Sequence, residues 1–223
     1  MAQENGPLDQ QAEAWRTGMR ANVSPRNPVP LSYAVWNGRR VDGYLRHAAT
    51  RDDRTLRVLS LISNTPEAGR RLLTFLADHR STIETVVWHG SPNDPLLLLL
   101  PEHSYRARLA SPWMLRVVDV PRALRERGYP AEVSARVHLR VQDDLFPGNR
   151  GPFVLEVEDG RGAVRRGGRG SVRCDVRGLA PLYSGHLSAS QLAMTGYLEA
   201  TPEEIGALQA IFAGPLPWMP DAF

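Results

Sequence analysis

The sequence predicts an α+β (mixed α/β) protein built as two halves of ordinary domain size. Three observations carry this. The first half interleaves strand-like runs with an amphipathic helix signal behind Thr65-Pro66. The second half alternates strictly at Val133, Ala135, Val137, Leu139 and Val141 before turning helical. Hydrophobic residues make up 42% and charged residues 23% of the 223, enough for a normal buried core.

Along the chain, Asp9 is placed to cap a helix over Gln10–Met19. Pro25, Pro28 and Pro30 then forbid continued helix. Leu31–Trp36 reads as a strand, and Asn37-Gly38 as a hairpin turn because both residues tolerate positive φ. Val41–Ala48 is the returning strand and Arg54–Ile62 a third. Thr65 suits a helix N-cap and Pro66 the first helical position. Leu72, Leu73, Phe75 and Leu76 give that helix an apolar face as far as His79. Thr82–Trp88 is a strand, and Asp94-Pro95 breaks the chain before a leucine run that reads as a buried strand or short helix.

Trp113–Val118 reads as a strand, and Asp119-Val-Pro121 opens a short helix that Gly128 stops. The boundary between halves falls near Ser111, giving domains 1–111 and 112–223. In the second, Phe153–Val157 and Ser171–Val176 join the alternating strand in an expected antiparallel sheet, with Asp159-Gly160 as a turn. Helices are expected over Leu179–Ser184, Ser190–Met194 and Pro202–Phe212, the last capped by Thr201 with Glu204 as its reciprocal partner.

Composition narrows the function. All 27 basic residues are Arg, against 24 acidic residues, for a formal charge of +3. The one dense basic stretch, Arg161 to Gly170, is rich in glycine and reads as an exposed hairpin, not a nucleic-acid face. The five-leucine run is too short to span a membrane, so no membrane partner is expected. The start, Met1–Gln11, is polar, and Cys174 is a single thiol that reads as a small buried strand residue; a cytoplasmic protein is the expectation. His47, His79, His89, His103, His138 and His186 show no metal-ligand spacing, and Ser188-Ala-Ser190 lacks the flanking glycines of a nucleophile elbow.

Several segments, taken in order, resemble one family. These are Tyr33-Ala-Val-Trp-Asn-Gly, Asp42-Gly-Tyr44, Thr65-Pro-Glu-Ala, Asn93-Asp-Pro-Leu, Trp113 through Leu124, Gly178 through Gly185, Ser188-Ala-Ser-Gln-Leu-Ala, and the closing Pro-Trp-Met-Pro-Asp-Ala-Phe223. Together they resemble the Eis-type N-acetyltransferases, a GNAT family. The resemblance implies a degenerate GNAT-like domain followed by a sterol-carrier-like domain, and an N-terminal GNAT domain that binds acetyl-CoA. At the place of the acetyl-CoA loop, Ser63–Gly69, Pro66 removes a donor and Glu67 adds negative charge. The expectation is therefore that acetyl-CoA is bound mainly by a domain not present in this chain.

The resemblance also implies a role for the end of the chain. The α-carboxylate of Phe223 would act as general base toward a primary amine, with a GNAT tyrosine as acid. Asp221 would attract a cationic amine, and Trp218 would help to anchor the tail at the substrate. Pro215, Pro217 and Pro220 stiffen that tail. By the same resemblance the partners are a small-molecule amine and further copies of the chain in a hexamer. The alternative reading is a non-catalytic, sterol-carrier-like module for ligand binding or oligomerisation.

Overall fold

Asn37-Gly38 sets the first hairpin. Gly38 takes φ 95°, and the Asn37 side-chain oxygen accepts the Arg39 and Arg40 backbone N–H groups at 2.9 and 3.0 Å. The computed structural model describes residues 30–50, 54–102, 104–109 and 112–219. The helix expected over Gln10–Met19 lies outside these residues, as do Asp221 and Phe223. The described chain forms two compact units, residues 30–107 and 108–219, each taken by itself below.

The first unit is a four-stranded sheet in the order β1 (Leu31–Trp36), β2 (Val41–Thr50), β3 (Thr55–Ser63), β4 (Thr85–Trp88). The first three pair antiparallel. Helix α1 (Pro66–Ala77) separates β3 from β4, and a helical crossover lets those two run parallel. The helix packs Leu72 and Leu76 against Leu45, Leu56 and Val58 to make the core, each buried apolar side chain contributing roughly 2 kcal/mol. The leucine run becomes a 3-10 turn, Pro95–Leu99, because Asp94 caps it by accepting the Leu96 N–H at 2.9 Å.

In the second unit, α2 (Val120–Glu126) starts under the Asp119 cap. Then come β5 (Ala135–Gln142), β6 (Gly151–Glu158), β7 (Arg161–Arg166) and β8 (Val172–Asp175). They are followed by α3 (Val176–Ser184), α4 (Ala189–Met194), the two-residue β9 (Leu198–Glu199) and α5 (Pro202–Ile211). Reciprocal capping boxes start α4 at Ser188–Gln191 and α5 at Thr201–Glu204. Val137, Leu139 and Val141 face Leu179, Leu192, Leu208 and Ile211 in one core.

The sheet is not wholly antiparallel as the alternation suggested. Its order is β7-β6-β5-β8-β9, with β8 parallel to β5. Residues 167–171 must therefore carry the chain from β7 past β6 and β5, about three strand spacings or 14 Å. They do so on the face opposite the helices, so the basic stretch is not a free hairpin throughout. Gly168, at φ 92°, lies so close that a Cβ would stand 2.5 Å from His138 Nδ1 and 2.6 Å from Val154 Cγ2. The Arg169 N–H donates to His138 Nδ1 at 3.1 Å, and Val154 is wholly buried although it points away from the core.

Trp113–Val118 is the second departure. It is extended but pairs with no strand among the described residues; only Val117 is buried. Asn149 holds it instead, donating to the carbonyls of Val117 and Val118 at 3.3 and 3.2 Å.

Candidate functional site

The tail that carries the sequence-derived site residues leaves from the C-terminus of α5, and one side chain organises that point. Arg127 follows α2, where the backbone turns to φ −66°, ψ 138° and leaves the helix. Its guanidinium donates to Tyr183 O at 3.0 Å, Gly128 O at 2.8 Å, Phe212 O at 3.2 Å and Ile211 O at 3.5 Å. Tyr183 belongs to the last turn of α3; Ile211 and Phe212 end α5. The carbonyls at helix C-termini lack intrahelical partners and carry the negative end of the dipole, so a cation serves two helices at once. The rings of Tyr129, Phe212 and Tyr183 surround the same group, with centroids 5.1, 5.1 and 5.9 Å from its carbon.

Burial pulls the Arg127 pKa below that of a free arginine, against the opposing pull of Tyr129 and Tyr183. It remains charged at any physiological pH. Tyr129 completes the cluster. Its hydroxyl donates to Leu124 O at 2.6 Å, and burial first of all pushes its pKa up.

Beyond Phe212 the chain runs extended through Pro215 and Pro217. Leu216 lines a groove of about 250 Å³ with Leu182, His186 and Phe212. That volume falls below the roughly 300–1,000 Å³ of a small-molecule pocket. Trp218 and Met219 are half-buried. Of the three site residues read from the sequence, Trp218 is described; Asp221 and Phe223 lie outside the described residues. Arg127 and Tyr129 were not singled out from sequence. In the sequence only Gly128 carries a local signal there, as the stop of a short helix.

In the first unit, the N-terminus of α1 is where a GNAT fold would cradle a pyrophosphate. Two of its first-turn N–H groups are already engaged, and one position has none. Pro66 has no N–H, Ala68 N donates to Thr65 Oγ1 at 3.1 Å, and Gly69 N donates to Thr65 O at 3.0 Å. Leu96 and Leu99 press against the backbone at Gly69, so close that a Cβ there would meet Leu99 at 2.7 Å. Glu67 places a carboxylate in the same first turn. These residues do not fit the pyrophosphate of acetyl-CoA.

Among the described residues no group of three or more His, Cys, Asp or Glu could hold a metal, and no helix is long and apolar enough to cross a membrane. Cys174 is buried in β8, and burial, with Asp175 adding to it, pushes its thiol up to about 12, which makes it a poor nucleophile.

His47 is a buried titratable group of the first unit. It is 5% exposed, its Nδ1 has no hydrogen-bond partner among the described residues, and its ring lies 5.5 Å from Phe75 and 5.8 Å from His79. Burial, then the neighbouring His79, pushes its pKa below 6.5. The folded state thus favours the neutral ring, and the unfolded chain takes up the proton first as pH falls. The stability tied to His47 is complete above about pH 6.5 and fades as acid titrates the unfolded chain. Urea midpoints measured at pH 7.5 and 5.5 are expected to fall with acid in the wild type, and to fall less in His47→Leu.

Comparison with known proteins now bears on these features. The acetyltransferase (GNAT) domain family matches residues 6–117, half of the chain. The chain belongs to the GNAT acetyltransferase family. A sterol carrier protein domain family matches residues 120–220 of this GNAT acetyltransferase. N-acetyltransferase Eis of Mycobacterium tuberculosis is 32% identical over 186 residues, 79% of this chain and 44% of that protein. An uncharacterized N-acetyltransferase of Streptomyces griseus is 34% identical over 177 residues, 76% of this chain and 41% of its own. The chain thus spans about two-fifths of the length of the curated relatives it matches.

Among solved structures, a GCN5-related N-acetyltransferase from Anabaena variabilis matches 99% of this chain and 56% of its own, with TM-score 0.89 and 39% identity. Eis1 from Mycobacterium abscessus matches 98% of this chain and 56% of its own, with TM-score 0.73 and 27% identity. The Eis-type resemblance read from the sequence is therefore correct. The accompanying expectation, that the acetyl-CoA-binding domain lies outside the chain, gains no support, because a GNAT domain is matched within it.

Proposed function

We propose that this GNAT acetyltransferase takes part in acetyl transfer to a primary amine, and that its own contribution is the base. The α-carboxylate of Phe223 accepts a proton from the ammonium form of the acceptor, freeing the nitrogen lone pair to attack the thioester carbonyl of acetyl-CoA; the C–N bond forms, the C–S bond breaks, and the departing thiolate takes up the second proton that the nitrogen loses. A terminal carboxyl has a pKa of about 3.5, so it is ionised and ready to accept at neutral pH. Asp221 adds negative charge that favours a cationic acceptor, and Trp218 anchors the tail. Acetyl-CoA is the acetyl donor, and its pyrophosphate sits elsewhere than at the first turn of α1. Cytoplasmic location and assembly into a homo-hexamer belong to the same proposal.

The observation that supports this reading best is the rigid departure point of the tail, where Arg127 ties together the ends of α3 and α5. Terminal segments usually order only when tied down. A carrier of bulky apolar ligands is less well supported, because the apolar groove by Leu216 has only about 250 Å³ and the larger cavity of about 410 Å³ is lined by the charged Arg122, Arg125 and Glu126.

The test is acetylation of a cationic amine by the intact protein, by a variant lacking residues 221–223, and by one with a glycine added after Phe223. Deletion withdraws the carboxylate by about 10 Å of extended chain. Both variants are expected to lose turnover while keeping the wild-type thermal transition. Unchanged turnover in either overturns the carboxylate role.

A further inference from the structure

We infer that Arg127 is the positioning residue of the C-terminal tail: it fixes the direction in which the chain leaves α5, and so where the tail's functional end arrives. This rests on the proposed role of the tail. The inference itself comes from the three separate backbone segments that this one side chain ties together.

Arg127 makes no ion pair among the described residues with any carboxylate. Every hydrogen bond it donates goes to a main-chain carbonyl, and those carbonyls come from three places in the second unit: its own helix exit at Gly128, the end of α3 at Tyr183, and the end of α5 at Ile211 and Phe212. A guanidinium is a planar fork with five donors, so holding three backbone segments at once constrains their mutual orientation as well as their spacing. A hydrophobic side chain of similar length would fill the space among Tyr129, Tyr183 and Phe212, but it would leave the helix-end carbonyls without donors and free to rotate.

Phe212 is clamped twice, by its carbonyl and by its ring, which also packs on Tyr129 at 6.2 Å between centroids. It is the last buried residue before the tail; Ala213 through Leu216 are exposed. Whatever orientation Phe212 holds is passed on to a segment that Pro215 and Pro217 keep from folding back. An angular error at this joint displaces the residues carried beyond it, and catalysis by a delivered group is sensitive to misplacements of about 1 Å.

The experiment compares Arg127→Met, Arg127→Lys and, as a control on the neighbouring exposed ion pair with Glu126, Arg122→Ala, in the intact protein. Three quantities are read: the thermal transition, kcat and KM for the amine, and the rate at which carboxypeptidase removes Phe223, followed by mass. For Arg127→Met the expected result is a kcat lowered by roughly tenfold to a hundredfold at a KM within about twofold of wild type, with faster carboxypeptidase release. Arg127→Lys keeps the charge but not the fork, and falls between. Arg122→Ala behaves as wild type. If Arg127→Met does not fold, Arg127→Lys carries the same test through its kcat and its carboxypeptidase rate.

Wild-type kcat and wild-type release in a folded Arg127 variant overturn the inference. A KM rise with unchanged kcat overturns it as well, since that marks a binding residue. If deletion of residues 221–223 is itself silent, the tail reading fails first and is identified as the failure. If deletion abolishes turnover and the Arg127 variants do not lower it, only the present inference fails.

Discussion

Gly178→Ala is expected to destabilise the second unit by about 3 kcal/mol, a cost set by overpacking against backbone that cannot move alone. Gly178 lies in the first turn of α3, where its N–H donates to the Asp175 cap at 2.8 Å. A Cβ there would stand 2.4 Å from the Tyr197 carbonyl oxygen and 3.2 Å from its carbonyl carbon. Neither is the far end of a flexible side chain. Tyr197 is itself held, its N–H donating to Leu192 O at 2.9 Å just before β9 pairs with β8. Relief therefore means moving α3 away from its cap or pulling β9 off the sheet. Chemical denaturation followed by far-UV circular dichroism measures the loss. A change below about 0.5 kcal/mol, the level of an ordinary surface substitution, contradicts the close approach.

Asn149→Ala is expected to cost roughly 3–5 kcal/mol, because it strips partners from several buried groups at once. The Asn149 side chain accepts the Val120 N–H at 2.8 Å and donates to Val117 O, Val118 O and Asp143 Oδ2. Without it the first N–H of α2 is orphaned and the 113–118 segment loses the hydrogen bonds that hold its Val117 and Val118 carbonyls. Asp143 is hit as well. Its carboxylate is fully buried and takes the Arg116 guanidinium at 2.5 Å and the N–H groups of Leu145 and Phe146.

Burial opposes the charge on Asp143, but the hydrogen bond from Asn149, the two backbone N–H groups and Arg116 outweigh it and hold the pKa down to about 2. A folded pKa below the unfolded value of about 3.9 gives stability that is whole above that value and disappears as pH drops toward 2. Asn149→Ala should therefore also make the acid transition begin at higher pH. Acid titrations of wild type and variant, followed by tryptophan fluorescence, check this; coincident curves contradict it.

What the sequence made legible is local. Thr65-Pro66 and Thr201 with Glu204 start helices where expected, because a cap and its partner sit within four residues. Asn37-Gly38 makes its turn for the same reason. The alternation at Val137, Leu139 and Val141 named the buried face correctly. It could not name the neighbours. Pairing β8 beside β5 in parallel depends on where residues 167–171 cross, and alternation is the same for either direction. Trp113–Val118 has a strand's pattern and no partner strand among the described residues, since pairing is decided elsewhere in the chain.

The tail followed the same division. Its prolines and terminal aromatic residues were visible in the sequence. Arg127 was not, because three of its four acceptors are carbonyls of residues 56 to 85 positions away, and a carbonyl belongs to every residue type.

That choice of acceptors has a consequence for how the joint behaves in different solutions. Every acceptor that holds the Arg127 guanidinium is a main-chain carbonyl, which carries no titratable charge. Acidification that empties the carboxylates elsewhere in the molecule leaves this hinge as stiff as before. On the proposed role of the tail, the acid limb of a rate profile is therefore expected to report the ionisation of the reacting groups and not a loosening around Arg127.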